Sequence, residues 1–197
     1  MSRENHATRA KLVAEGLKSM IINGYDGIGL NAILDAAGVP KGSFYYFFKS
    51  KEAFAAAVLE AYEAHYTGLR ELLFRDAAAS PLQRLEDYFE QARRMHLAEE
   101  PLGGCLYGVF GQTARARSPG FRQRLSAVFA RWEAQIQAVL EEAQRVGEVD
   151  PAVDAQGAAA FLIEAYEGML IRMKVDGDDK AFDRFRCFAM GALRVRP

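Results

Sequence analysis

Apolar residues recur at spacings of three and four positions along almost the whole chain, and this periodicity limits the possible folds more than any other feature. In the first segment such residues mark one face of a helix over about residues 5–23, which the breaker cluster NGYDG ends. These residues are Leu12, Leu17, Met20 and Ile21. Long alternating runs of β-branched residues, which would indicate strands, are absent. The sequence therefore predicts an all-α fold.

Glycine, proline and polar clusters divide the chain into nine predicted helices. Two short helices, over residues 30–37 and 41–47, flank a turn that contains Gly38 and Pro40. Ser50 is placed to cap a long fourth helix. Five more are expected over about residues 81–98, 104–116, 119–146, 154–175 and 180–194. Two short helices joined by a tight turn with a glycine form the helix-turn-helix pattern.

Charge is distributed unevenly along the chain. The whole sequence has a formal net charge of -1, yet residues 1–51 hold seven Lys or Arg and four acidic residues. A basic head on an acidic body is typical of a protein whose head reads nucleic acid. Hydrophobic residues make up 50% and charged residues 26%, so we expect a soluble globular protein.

Several other classes of protein are disfavoured by the sequence. We expect no secretory signal and no membrane span, because the longest apolar segment, residues 158–171, is short and contains two glutamates. Two cysteines and three histidines show neither a disulfide framework nor metal-ligand spacing. We therefore expect a cytoplasmic protein with no metal and no cofactor.

Five aromatic residues in a row, Phe44 to Phe48, occupy the third predicted helix. At about 100° per residue, Phe44, Phe47 and Phe48 fall on one side of that helix. Gly42, Tyr45, Tyr46 and Lys49 fall on the other. We expect the three phenylalanines to anchor the helix in the head and the two tyrosines to face outward.

Outward tyrosines beside Lys41, Lys49 and Lys51 suit a surface that binds phosphates, and Gly42 allows close approach of the backbone. Two alternatives remain. These side chains could simply be the exposed face of a helix. They could also stack on single-stranded bases, although stacking platforms usually lie on sheets whereas a helix fits the major groove.

The stretch GYDGIGLNAILDAAGVPKGSFYYFFKSKEAF, residues 24–54, resembles the DNA-binding signature of TetR-type transcriptional regulators. The resemblance implies a helix-turn-helix DNA-binding domain over residues 1–49 and a ligand-binding and dimerisation domain over residues 50–197. It also implies that the third helix is the recognition helix of a homodimer that binds a double-stranded DNA operator. The DNA-binding residues expected are Lys41, Gly42, Ser43, Tyr45, Tyr46, Lys49 and Lys51.

The stretch departs from the signature of the family in two places. Members usually carry Thr or Ser where this chain has Ile28 and Gly29, so the cap of the second helix must come from Gly29 or Asn31. Many also carry His-Tyr where this chain has Tyr46 and Phe47, which would move or delete a contact to phosphate.

The last two predicted helices resemble the dimerisation helices of the family. They are rich in apolar and small residues, and the final helix offers five side chains to a partner. These are Phe182, Phe185, Phe188, Ala189 and Leu193. An internal helix pair without a partner is the alternative. Candidate lining residues of an effector pocket are Tyr107, Phe110, Gln112, Trp132, Tyr166 and Glu167.

Cys105 lies at the predicted start of a glycine-rich helix, where backbone N–H groups favour the thiolate. Four glycines in this segment, Gly103, Gly104, Gly108 and Gly111, each cost about 1 kcal/mol relative to Ala in a helix, which tight packing or room for a ligand would explain. An inert buried cysteine is the alternative. Cys187, in the final helix, is expected to serve packing.

The GCL segment around Cys105 resembles that of the NemR/AcuR-like subgroup, which senses electrophiles or oxidants, and Lys174 stands where that subgroup carries a lysine. Lys174 could pair with the thiolate or form an S–N link to an oxidised sulfur; compensation of the helix dipole is the alternative.

The sequence thus indicates a repressor released from a palindromic operator by a small molecule, with an electrophile or oxidant acting at Cys105 as one hypothesis. A noncovalent sensor of an apolar metabolite is the alternative. A thiol enzyme would need a base near Cys105, and no motif supplies one. A pure dimerisation module predicts DNA affinity that does not depend on salt, whereas phosphate contacts require an affinity that falls steeply as salt rises.

Overall fold

The structure is a computed structural model that describes residues 3–98, 104–113 and 116–195. Within these ranges the regular elements are helices, and the only extended pairing is an isolated bridge between Val149 and Arg194. The helices are α1 (Arg3–Gly27), α2 (Leu30–Ala37), α3 (Lys41–Phe47), α4 (Lys51–Phe74), α5 (Pro81–Leu97), α6 (Leu106–Thr113), α7 (Pro119–Arg145), α8 (Ala155–Asp176) and α9 (Lys180–Arg184). The all-α fold predicted from the periodicity is confirmed.

Local chemistry fixes several helix ends where the sequence predicts them. Gly24, inside the breaker cluster, has the non-helical dihedrals φ 70° and ψ 177° and kinks α1. The backbone N–H of Ala53 donates to the Ser50 hydroxyl at 3.0 Å, which caps α4. Gly29 occupies the N-cap position of α2 without a side-chain hydrogen bond. Glycine therefore replaces the usual hydroxyl at this cap.

Two predicted helices differ from the structure. The helix expected over 104–116 begins at Leu106 and ends at Thr113, because Gly104 has φ 89° and so lies in a left-handed turn outside it. The sequence predicts a final helix that is continuous to about residue 194. It instead continues after α9 as a π turn, Phe185–Met190, and a 3₁₀ turn, Gly191–Leu193.

The chain forms two compact units. The first comprises Met1–His65 and Cys105–Ser126, and the second comprises Tyr66–Gly104 and Ala127–Pro197. Helices α4 and α7 contribute residues to both units. The first unit thus holds α6 together with the helix-turn-helix segment, whereas the sequence division places α6 in the domain over residues 50–197. That functional division stays a prediction.

The core of the first unit is built around a close approach of α1 to α4. Phe54 is fully buried, and its ring lies 5.3 Å from that of Phe44 and 4.9 Å from that of Phe48, between centroids. Gly16 supplies the space for this ring: a methyl group added there would lie 2.8 Å from Cε1 of Phe54 and 3.1 Å from Cγ2 of Val58. Only glycine fits between the two helices at this point.

The second unit has an aromatic core that also contains buried cations. The Trp132 ring lies 6.4 Å from that of Tyr88 and 5.9 Å from that of Tyr166. Arg84, whose side chain is 8% exposed, pairs with Glu142 at 2.5 Å and donates to the carbonyl of Phe74. A buried guanidinium of this kind is stable because its charge is neutralised and hydrogen-bonded.

His96 is a buried base in the second unit. Its side chain stacks on Tyr66, with ring centroids 6.2 Å apart and 21° between planes, and Nδ1 has no hydrogen-bond partner. The residue is 1% exposed, and this burial lowers the pKa of His96 to about 4. The imidazole is therefore neutral across the physiological range.

None of the helices within the described ranges is both long enough and apolar enough to cross a membrane.

Substituting Gly16 tests the approach of α1 to α4. Gly16→Ala is expected to lower the free energy of unfolding by about 1–3 kcal/mol, because the Phe54 ring must leave its position. Gly68→Ala is the control: Gly68 lies in α4 with no atom near the added methyl group, so roughly 0.5–1 kcal/mol should be gained. Urea unfolding measures both, and equal stability of the two variants would contradict the close approach.

Acidification tests the environment of His96. Because the pKa in the folded protein lies below the unfolded value of about 6.5, only the unfolded chain gains this proton between pH 6.5 and 4, so stability falls as the pH falls. Between pH 7 and 5 we expect a loss of about 2 kcal/mol that His96→Phe abolishes. Denaturant unfolding at both pH values measures it, with His6→Gln, at an exposed histidine, as the control. A variant that loses as much stability as the wild type would contradict the assignment.

Candidate nucleic-acid interface and sensing site

The turn between α2 and α3 has the geometry that a helix-turn-helix needs. Gly38 adopts the left-handed conformation, with φ 59° and ψ 37°, and its N–H donates to the carbonyl of Asp35 at 3.0 Å. The N–H of Val39 donates to the carbonyl of Leu34, also at 3.0 Å. These two bonds end α2 and redirect the chain into α3, and the left-handed backbone explains the glycine.

The five rings divide as the helical spacing predicts. Phe44 and Phe48 are 0% and 4% exposed and pack on Phe54, whereas Tyr45 and Tyr46 are 54% and 66% exposed. Phe47 is half-buried. The predicted division is confirmed for Phe44, Tyr45 and Tyr46 within α3. Phe48 is buried as expected, but it lies just beyond the helix, in an extended conformation with φ −135° and ψ 120°.

Most of the predicted DNA-contacting residues lie together on or beside α3. Those whose side chains or backbone are exposed are Lys41, Gly42, Tyr45, Tyr46 and Lys49, and Ser43 is half-buried. The Tyr46 hydroxyl accepts a hydrogen bond from Nδ2 of Asn5 at 3.4 Å, which links α3 to the start of α1. The face combines two phenols and two ammonium groups, which can donate to phosphate oxygens.

Lys51 differs from the other predicted contacts. Its Nζ donates to the Ile28 carbonyl at 2.5 Å and lies 4.7 Å from the centroid of the Tyr25 ring. Burial lowers the pKa of the Lys51 ammonium. Lys51 thus braces the junction of α1 and α2, and its contact with DNA stays a prediction.

Tyr25 is also held by a residue that follows α6. The Arg117 guanidinium lies 3.9 Å from the centroid of the Tyr25 ring, and its Nη2 donates to both carboxylate oxygens of Asp26 at 2.7 and 2.9 Å. Glu52 accepts a hydrogen bond from the Ser118 hydroxyl, and the Phe110 ring meets Tyr25 edge-on at 6.5 Å. These contacts join α6 and the start of α7 to the helix-turn-helix segment. We refer to Tyr25, Asp26, Phe110 and Arg117 as the Tyr25 contact group.

Sequence reasoning missed the Tyr25 contact group. Asp26 and Arg117 are 91 positions apart, and no spacing rule connects them. The only local signal was an aromatic–acid pair, Tyr25 and Asp26, within a breaker cluster.

Cys105 lies immediately before α6 and is 5% exposed. Its carbonyl accepts the N–H of Val109 at 3.1 Å, so Cys105 is the first residue to accept a helical bond of α6, as expected. Cys187, in contrast, is exposed in the π turn. Cys187 therefore does not pack within the second unit, and a role in packing against a partner stays a prediction.

The candidate pocket residues fall into two groups. Tyr107 and Phe110 are buried in the first unit, and Trp132 and Tyr166 are buried in the second, with Glu167 half-buried. Gln112 is exposed, because it lies two residues after Phe110 and so points to the opposite side of α6. Lys174 is exposed in the last turn of α8, where its charge also favours the helix dipole.

Among the described residues, no group of three His, Cys, Asp or Glu side chains is arranged to hold a metal ion.

Comparisons with known families cover most of the chain. Residues 12–58 match the family described as "Bacterial regulatory proteins, tetR family", and residues 81–189 match "Tetracyclin repressor-like, C-terminal domain". Among solved structures, the regulatory protein TetR from Rhodobacter sphaeroides superposes with a TM-score of 0.90 at 30% identity, over 93% of this chain and 97% of that one.

Three curated relatives carry regulatory names. Transcriptional regulator AcuR of Cereibacter sphaeroides is 33% identical over 84% of this chain and 75% of its own length. HTH-type transcriptional repressor DhaR of a Mycobacterium species is 32% identical over 94% of this chain and 91% of its own length. HTH-type transcriptional repressor NemR of Escherichia coli is 39% identical over 51% of each chain. These relatives are transcriptional regulators rather than enzymes, and the chain accordingly belongs to the TetR family of DNA-binding transcriptional regulators.

Proposed function

We propose that this regulator is a homodimeric repressor that binds a palindromic operator in the cytoplasm and leaves it when a small molecule binds or modifies the protein. The observation that carries the proposal is the outward face of α3, where Tyr45, Tyr46 and Lys41 are exposed on a helix anchored by buried phenylalanines. Lys49 is exposed just beyond the end of this helix. Two relatives are named as repressors, which supports repression rather than activation.

The short recognition helix suits binding in the major groove. Lys41 and Ser43 occupy the first turn of α3, from which side chains reach base edges or phosphates. Tyr45, Tyr46 and Lys49 supply hydroxyl and ammonium donors for the backbone on either side. Phosphate contacts of this kind make affinity depend steeply on salt.

Dimerisation is supported by an exposed apolar groove formed by α8, α9 and the π turn. Phe161 and Phe188 are 55% and 74% exposed at this groove, and Gly168 of α8 also lines it. Of the five side chains predicted from the sequence to contact a partner, only Phe188 is exposed. Phe182, Phe185, Ala189 and Leu193 are buried within the second unit. The contact with a partner subunit would therefore use Phe161 and Phe188.

Release of DNA requires the effector to favour an arrangement that the operator does not. The Tyr25 contact group offers a route, because α6 carries Cys105 next to its first turn and Phe110 next to Tyr25. A displacement of α6 would disturb Tyr25, which Phe110 contacts. Tyr25 in turn contacts Lys51, which holds the Ile28 carbonyl just before α2. A coupling free energy of about 1–3 kcal/mol is sufficient for regulation.

For the effector itself, we infer an electrophile or oxidant that reacts at Cys105. Its position at the start of α6 favours thiolate formation, and NemR is among the relatives. Addition of the thiolate to an activated alkene forms a C–S bond, and the neighbouring carbon takes up a proton. The burial of Cys105 favours the alternative, an apolar metabolite held without covalent change.

Lys41→Ala tests the DNA-binding face. Loss of one phosphate contact should weaken operator binding and reduce the slope of log K against log salt by about 1. Lys180→Ala, at an exposed lysine of the second unit, is the matched control and should bind as the wild type does. Fluorescence anisotropy with an operator duplex at several salt concentrations gives the slope. An unchanged affinity and slope in Lys41→Ala would argue against the assignment of α3.

Cys105→Ser tests the covalent hypothesis. N-ethylmaleimide should release wild-type protein and Cys187→Ser from the operator but leave Cys105→Ser bound, because only the thiol of Cys105 lies at α6. Operator binding before treatment should be equal in all three proteins. Release of Cys105→Ser to the same extent as the wild type would favour the noncovalent sensor.

A further inference from the structure

Arg70, on α4 in the second unit, is a buried cation without a carboxylate partner among the described residues. The residue is 1% exposed. Its Nε donates to Oε1 of Gln135 at 2.5 Å, and its Nη2 donates to the Thr67 hydroxyl at 3.1 Å. Its Nη1 has no hydrogen-bond partner. Both partners are neutral, so these hydrogen bonds leave the charge of Arg70 uncompensated.

A buried charge in this state is costly. A guanidinium keeps its proton in proteins, so Arg70 cannot become neutral as a buried lysine can. Arg70 makes hydrogen bonds to a neutral amide and a hydroxyl, and the Trp132 ring centroid lies 5.7 Å from its Cζ. These contacts offset only part of the free energy that the guanidinium loses when it leaves water. Arg84 in the same unit shows the usual solution, an ion pair with Glu142 at 2.5 Å.

The surroundings of Arg70 are aromatic and carry further polar atoms. From Trp132 the rings continue to Tyr166 at 5.9 Å and then to His96 at 6.2 Å. His96 stacks on Tyr66, which lies one turn before Arg70 on α4. The Nδ1 of His96 is a second buried polar atom without a partner. One cation, one neutral imidazole and several flat rings therefore lie within a single cluster.

We propose that Arg70 anchors a small organic carboxylate with a flat, unsaturated or aromatic body, which binds inside the second unit. The free Nη1 would donate to the carboxylate, and the rings of Trp132, Tyr166 and His96 would contact the body of the ligand. A single available positive charge matches a monoanion and not a phosphate dianion, because Arg84 is already paired and His96 is neutral.

The proposal rests on the proposed function only in treating this carboxylate as a second, noncovalent effector beside the compound that reacts at Cys105. Carboxylate binding is measured on the full-length protein without DNA. A failure to bind carboxylates would therefore not count against operator binding, and a failure to bind the operator would not count against the carboxylate site.

Calorimetry and thermal unfolding with sodium propanoate, benzoate and cinnamate, each against its neutral amide, test the proposal. At least one of the carboxylates should bind with a stoichiometry of one molecule per chain and raise the Tm of the protein. The matching neutral amide should neither bind nor raise Tm. Arg70→Met should weaken that binding by about 30-fold or more, since it removes a charge-assisted hydrogen bond. Absence of binding by all three acids, or equal binding by Arg70→Met, overturns the proposal. Equal stabilisation by sodium chloride at the same ionic strength overturns it as well, because the site would then accept any anion.

Stability of the ligand-free protein separates a binding arginine from a structural one. Arg70→Met should unfold at the same temperature as the wild type or higher, because an apolar side chain replaces an uncompensated charge. Arg84→Met is the matched control: it leaves Glu142 unpaired, so Tm should fall while carboxylate binding persists. A fall in Tm for Arg70→Met as large as that for Arg84→Met would make Arg70 a structural residue and overturn the proposal.

Discussion

The Phe54 ring is the contact on which the DNA-binding head depends. It is fully buried, it reaches α1 at Gly16, and it packs on Phe44 and Phe48. One side chain at the start of α4 thereby fixes both the first helix and the recognition helix. A short helix such as α3, with seven residues, would not be stable alone, so its orientation comes from this packing.

The same unit also brings the sensing segment to the head. Arg117 binds Asp26 through two hydrogen bonds and lies over Tyr25, and its side chain is only 11% exposed, so solvent screens this pair less than an exposed one. Lys51, on α4, contacts Tyr25 as well and holds the Ile28 carbonyl. Under the proposed function, a change near Cys105 has a short physical route to α2 and α3 through groups that already touch.

Features that depend on neighbouring residues could be predicted from the sequence. The helices followed from apolar spacing, the cap of α4 from Ser50, and the division of the five rings from the helical period. Each of these is decided within a few positions along the chain. The exposure of Tyr45 and Tyr46 is the part of the candidate site that such reasoning reached.

Features that depend on distant residues could not be predicted in this way. The pair of Asp26 with Arg117 and the bond from Lys51 to Ile28 join segments that no periodicity relates. The burial of Arg70 was also hidden, because an arginine in a helix usually lies at the surface. The π turn that contains the exposed Cys187 was not revealed by the helical spacing either.

The π turn at Phe185–Met190 also determines where the final helix can change length. A π turn closes hydrogen bonds between residues five apart, so it contains one residue more than an α-helical turn. Removing one residue there would restore α-helical bonding and leave α9 and the 3₁₀ turn at Gly191–Leu193 in place on either side. This turn is therefore the position in the last helix where a one-residue deletion can be absorbed with least disturbance to the Val149–Arg194 bridge that follows.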